Sequence, residues 1–246
     1  MIRAKAALIH LAASAIVVGA ILAIVYFAWY PGATFVIAGA TSIVILLVGV
    51  DLVLGPSLTL LVFKPGKPGL KFDLAAIAVI QLAALAYGAF TLYAERPYYL
   101  VYVVDRFNLV PEGAIDKSQL RFEELHTKPF ADVIRVFARL PEDRAELARF
   151  NESVFFEGRP DLDGRPEYWE PYAAGRDYVR SRIRPLDALR PATAAERDSI
   201  DAAKRRFGRE HQRLGVVPVG ARGDDMAMLM DADTAEPLDV LPVDPW

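Results

Sequence analysis

One carboxylate stands in otherwise hydrocarbon-like sequence: Asp51, in the run GVDLVLGPSLTLL from Gly49 to Leu61. An acid inside an apolar segment of membrane length costs on the order of 3 kcal/mol on insertion scales, which by default marks a functional position. The chemistry open to it is hydrogen bonding or ion pairing within the bilayer. Gln81 is the polar residue well inside the next apolar run, and it is the nearest candidate partner. Asp51 lies twelve residues from Phe63 and Gln81 nine from Phe72, roughly 18 and 14 Å at helical rise, so their depths nearly match. Two arrangements are open: an internal Asp51–Gln81 hydrogen bond, or Asp51 meeting a polar or cationic group on a partner helix.

Other familiar chemistry is missing. Cysteine is absent, which excludes thiol redox work and cysteine-ligated metals. His10, His126 and His211 are too scattered for a zinc site, and no metal or cofactor is expected. The loop VFKPGKPGLKFDL, Val62 to Leu74, lacks the Gly-x4-Gly-Lys-Ser/Thr phosphate cradle, because Pro68 follows Lys67. No nucleophile elbow, His-Glu-x-x-His or dinucleotide glycine pattern occurs, and the expectation is a protein that is not an enzyme. Acids such as Glu142, Asp143, Glu157, Asp161 and Asp163 read as solvated turns and faces.

The elements that must position Asp51 follow from charge segregation. Before residue 95 the only basic residues are Arg3, Lys5, Lys64, Lys67 and Lys71, and the only acids are Asp51 and Asp73. Three apolar runs result: Leu8 to Tyr30, Thr34 to Phe63 and Phe72 to Ala94. Each is long enough to cross a core of about 30 Å. The first is too long for the apolar core of a signal peptide and lacks a clean cleavage site, so it is expected to be an uncleaved anchor. Pro56 predicts a kink or break near Leu54. Small residues at helical spacing, Ala15, Gly19 and Ala23, then Ala76, Ala84 and Gly88, favour close packing among these helices or against a partner's. The lysines sit at the N-terminus and in the second connection, so the positive-inside rule places both in the cytoplasm and residue 95 onward outside.

Residues 95–246 are net acidic and offer no basic face for nucleic acid. They read as an α+β domain with a small, mostly antiparallel sheet. Strands are expected at Tyr98–Val104, Ala131–Leu140, Gly215–Val219, Met226–Asp231 and Leu238–Val243, with a hairpin turn at Asp231–Pro237. Helices are expected from Pro141 to about Asn151, over Arg176–Ile183, and from the Thr193/Glu196 capping box to about Glu210. Between Gly158 and Tyr172 a Pro, Gly and Asp-rich loop carries Tyr168, Trp169 and Tyr172, which either tuck onto the core or form a binding surface.

The stretch GVDLVLGPSLTLLVFKPGKPGLKFDL, continuing through Gln81 to ERPYYLVYVVDRF, resembles the type IV pilin accessory protein family (TfpX/TfpZ-like). Asp51, Gly55, Pro56, the Lys-Pro-Gly loop and Arg96-Pro97-Tyr98 occur together and in order, and the likeness is clearest over residues 1 to 110. The resemblance implies a bacterial inner-membrane, chaperone-like accessory protein with a three-helix membrane domain (1–94) and a periplasmic domain (95–246). Its partners would be the bilayer and a major type IV pilin, gripped by its apolar stem and touched at its periplasmic head. Asp51, Gln81, Pro56, Gly88, Tyr168, Trp169 and Tyr172 are the candidate partner-binding residues. A membrane-anchored sensor or ligand-binding module built on the aromatic loop is the alternative reading.

Overall fold

The computed structural model describes residues 2–210, 213–221 and 225–246. His211 lies outside the described residues. The chain divides into two compact units, Met1–Tyr30 with Ala40–Glu95 and Pro31–Gly39 with Arg96–Trp246.

The first unit holds three helical spans long and apolar enough to cross a membrane: Ile2–Trp29, Ala40–Val62 and Leu70–Ala94. Helix is the form such sequence takes, because each backbone N–H and C=O is satisfied within its own segment. The first span is α1 (Ile2–Ile24), ending in a π-helical turn, Val25–Trp29. A short α2 (Thr34–Ile37) follows. The second span comprises α3 (Ala40–Val48), a π-helical stretch at Gly49–Leu54 and α4 (Gly55–Val62). The third is α5 (Leu70–Ala94).

Two expectations are corrected here. The second span starts at Ala40 rather than Thr34, since Pro31–Gly39 belongs to the other unit and Ile37 is buried in that unit's core. Hydropathy alone does not distinguish a residue facing lipid from one facing a protein core. Of the kink or break expected near Leu54, the break does not occur. The helix widens instead: the Gly55 N–H reaches back to the Val50 carbonyl, and Pro56 falls in the first turn of α4, where a missing N–H costs little.

The second unit is built on one open mixed sheet. Its strands are β1 (Pro97–Val103), β2 (Arg106–Pro111), β3 (Ile134–Ala138), β4 (Trp169–Pro171), β5 (Arg184–Pro185), β6 (Leu214–Gly220), β7 (Met226–Asp231) and β8 (Pro237–Leu241). The order is β4-β3-β1-β2-β6-β7-β8, with β5 paired to β6. The β1/β3 and β2/β6 pairs are parallel and the others antiparallel. The expected α+β class with a mostly antiparallel sheet is borne out.

All seven residues of β1 are buried, because successive side chains alternate between two covered faces. Leu100 and Tyr102 point into a core shared with Phe137, Val217, Met230 and the helix α7 (Tyr172–Arg182). Tyr99, Val101 and Val103 enter a second core with Trp169 and Phe150 of α6 (Arg144–Phe155). A third cluster places Ile200 and Ala203 of α8 (Ala194–Phe207) over Val216, Leu229 and Leu241.

Local signals explain the helix ends. Asp143 is the cap of α6 rather than part of its first turn, accepting from the Ala145 and Glu146 amides at 3.0 and 2.9 Å. Thr193 caps α8 by accepting from the Glu196 amide at 3.2 Å, while the Glu196 carboxylate turns back to the Ala192 N–H at 2.7 Å.

Candidate functional site

The arrangement around Asp51 begins with Gly55. A β-carbon there would lie 2.0 Å from the Gln81 amide nitrogen, so glycine opens the space through which Gln81 crosses from α5. Gln81 Nε2 donates to Asp51 Oδ1 at 3.2 Å and lies 3.4 Å from the Asp51 carbonyl, to which it also donates. Both residues are buried, at 4 % and 6 % exposure. The π-helical stretch carries Asp51, and Pro56, buried at the start of α4, sits one residue past the glycine. Of the two arrangements read from sequence, the internal hydrogen bond forms.

The bond leaves chemistry over. Asp51 Oδ2 and Gln81 Oε1 are buried without a hydrogen-bond partner. Gln81 Oε1 can only accept, and in a low-dielectric setting an unmet acceptor costs on the order of 1–3 kcal/mol.

Asp51 and Gln81 line a cavity of about 620 Å³ together with Lys5, His10, Ser14 and Thr59 among mostly apolar residues, chiefly of α1, α4 and α5. Its origin is a splayed packing. α1 packs along α4, and α5 along α3 and α4, whereas the two flanking spans meet mainly through the Val25–Trp29 turn. That end is pinned: the Tyr30 hydroxyl donates to the Leu92 carbonyl at 2.8 Å, and the Trp29 and Tyr93 rings meet edge-on at 5.2 Å. Away from the pin α1 and α5 diverge over α4 and leave a groove. On its floor His10 Nδ1 and Thr59 Oγ1 share a 2.6 Å hydrogen bond.

Sequence reasoning missed His10, Thr59 and Ser14 as members of this polar layer. The available signal was weak: His10 and Ser14 are isolated polar residues in the first apolar run, and Thr59 is one of several hydroxyl residues in the second. Gly88 proves to be an internal packing residue. A β-carbon there would meet Leu47 Cδ2 at 2.6 Å, so glycine lets α5 close on α3. The Ala15, Gly19 and Ala23 face of α1 is exposed, with nothing within 4 Å of a β-carbon at Gly19.

The aromatic loop takes one of its two expected placements. Trp169 has no exposed surface, and its indole N–H donates to the Leu162 carbonyl at 3.0 Å. Tyr172 is buried, donating its hydroxyl to the Ala235 carbonyl. Tyr168 is half-buried, edge-on to Phe150 at 5.4 Å. These rings tuck onto the core because each finds apolar cover together with a backbone acceptor or ring partner. Of the two placements read from sequence, tucking onto the core is the one that Trp169 and Tyr172 take, while Tyr168 stays half-buried. Among the described residues, no group of three or more His, Asp or Glu side chains is gathered for a metal ion.

No protein-family model matches the chain, and no solved structure matches it. Three curated proteins of Dichelobacter nodosus do. The fimbrial assembly proteins of serogroup E1 and of serogroup I are each 29 % identical over 188 residues, covering 74 % of this chain and 72 % of theirs. The fimbrial assembly protein of serogroups C1 and C2 is 32 % identical over 120 residues, 48 % of this chain and 91 % of its own. The resemblance carried by Asp51, Gly55, Pro56 and the Lys-Pro-Gly loop is thereby borne out, and the chain belongs to the family of fimbrial assembly proteins.

Proposed function

We propose that this protein is a bacterial inner-membrane accessory factor that binds a cognate type IV pilin and, chaperone-like, modulates its assembly into pili. The carrying observation is the groove between α1 and α5, lined by Asp51 and Gln81, each of which keeps one buried oxygen without a hydrogen-bond partner. A membrane helix is what such a groove suits, and the fimbrial assembly names of the relatives make a pilin stem the natural guest. The role is that of a binder, not an enzyme.

The proposed orientation has the N-terminus and the lysine connection in the cytoplasm and residues 96–246 in the periplasm, where the sheet domain meets the pilin head. Pro31–Gly39 and Arg96–Trp246 form one compact unit, which supports placing the first connection and the C-terminal domain on one side of the membrane. Tethering by three spans would make weak contacts to stem and head effective together.

Deletion of the gene tests the assembly role. Surface pili should fall while pilin remains in the membrane, and tagged full-length protein should co-purify with that pilin. Unchanged piliation would overturn the reading.

A further inference from the structure

The orphaned oxygens specify the guest more narrowly than the groove's shape does. Asp51 Oδ2 and Gln81 Oε1 are both buried and both unpartnered. The Gln81 amide hydrogen that could have neutralised Asp51 Oδ2 is committed to Oδ1 and to the Asp51 carbonyl. A lipid acyl chain brings no donor and would leave both oxygens unmet. The lining on α1 runs from Ile2 to Val18, roughly 24 Å of helix at 1.5 Å per residue, so the groove has the reach for several turns of a guest helix.

We propose that the groove between α1 and α5 holds one transmembrane helix of the pilin, recognised by a hydrogen-bond donor on that helix which Asp51 Oδ2 and Gln81 Oε1 accept together. The donor is a hydroxyl, carboxamide or ammonium group at the depth of Asp51. His10 and Thr59 satisfy each other, and Lys5 and Ser14 are the remaining polar residues of the lining besides the Asp51–Gln81 pair. This inference rests on the pilin-binding reading and adds to it the site and the chemistry recognised.

The natural absence of cysteine makes the test direct. Single cysteines are placed in the full-length chain at the groove residues Ser14 and Ala78, and at Ile45 and Leu61, which are 66 % and 74 % exposed and outside the groove. Each is crosslinked in membranes to a pilin carrying single cysteines along its stem. Adducts are expected from Ser14→Cys and Ala78→Cys and not from Ile45→Cys or Leu61→Cys. Asp51→Leu combined with Gln81→Leu should lower the groove adduct at least tenfold. So should replacing one donor-bearing stem residue of the pilin with leucine. Asp51→Asn, closest in shape, should give an intermediate yield, with thermal melting confirming that each variant is folded.

Groove adducts undiminished by every folded variant would overturn donor recognition while leaving pilin binding intact. Pilin adducts only from Ile45→Cys or Leu61→Cys would overturn the groove assignment alone. Adducts of the chain with itself from Ser14→Cys, in place of pilin, would make a second copy the occupant. No pilin adduct from any position would sink both readings.

Discussion

The two units handle buried residues in opposite ways. In the sheet domain apolar residues mark the interior: β1 reads PYYLVYV and every one of its residues is buried. In the membrane unit the 23 residues of α1 are almost all apolar, yet only Val18 is buried, while the polar Asp51, Thr59 and Gln81 are. The solvent explains the inversion. Water expels apolar groups into a core, whereas lipid accepts them and drives polar groups inward. Apolar pattern therefore reports packing in one unit and only environment in the other.

The largest expected effect tests the sheet half of that contrast. Trp169→Ala removes a fully buried ring and its bond to Leu162, and should cost about 3–5 kcal/mol. Phe156→Ala, at a side chain 85 % exposed, should stay within about 0.5 kcal/mol. Denaturant melting of the full chain in detergent measures both. Equal shifts would mean that Trp169 is not core.

Glycines sharpen the contrast at a smaller scale. A β-carbon at Gly175 would lie 2.0 Å from Phe137 Cγ, where α7 presses on β3, so Gly175→Ala should destabilise by about 1–3 kcal/mol. Gly19→Ala on the exposed face of α1 meets nothing within 4 Å and should leave the melting midpoint unchanged or slightly raised.

The polar pair should behave unlike either. Gln81→Leu strands Asp51 in the bilayer interior and should cost about 0.6–1.7 kcal/mol, the range of interhelical hydrogen bonds in membranes. Asp51→Leu added to it removes the stranded acceptor, and thermal melting should return close to wild type. Pilus assembly should not return with it. Recovery of both would reduce the pair to structural glue.

How much of this was legible beforehand follows from the same inversion. Charge segregation exposed three spans, and depth counting put Asp51 and Gln81 within reach of each other while leaving a partner helix open. The capping box at Thr193 and the run at Tyr98–Val104 were equally plain. β2 was not, since RFNLVP mixes Arg106 and Asn108 into a strand whose partners β1 and β6 are far from it in character or in sequence. β4 was hidden for a related reason: three residues, Trp169–Pro171, become a strand only because β3 supplies their hydrogen bonds. The groove was least legible. It depends on where α1 and α5 diverge, which is fixed by the Tyr30–Leu92 and Trp29–Tyr93 contacts and by no periodicity within either helix.

The smallest expected effect asks what an ion pair contributes when water is close. Arg139 grips Glu170 across β3 and β4 with two bonds of 2.9 and 2.8 Å. The guanidinium holds the Glu170 carboxyl below its ordinary value, first through these hydrogen bonds and against partial desolvation. A depressed carboxyl stabilises the fold at pH above its unfolded value of about 4.3 and loses that contribution as pH falls through the lower folded value. Melting midpoints of wild type and Glu170→Gln should therefore differ most at neutral pH and converge as the medium is acidified below about pH 4. With the Arg139 side chain 41 % exposed, screening keeps the neutral-pH difference under about 1 kcal/mol. A gap that persisted at low pH would assign the effect to shape rather than charge. A gap well above 1 kcal/mol would mean that this pair in the sheet domain is shielded from water as Asp51 is, and would weaken the contrast between the units.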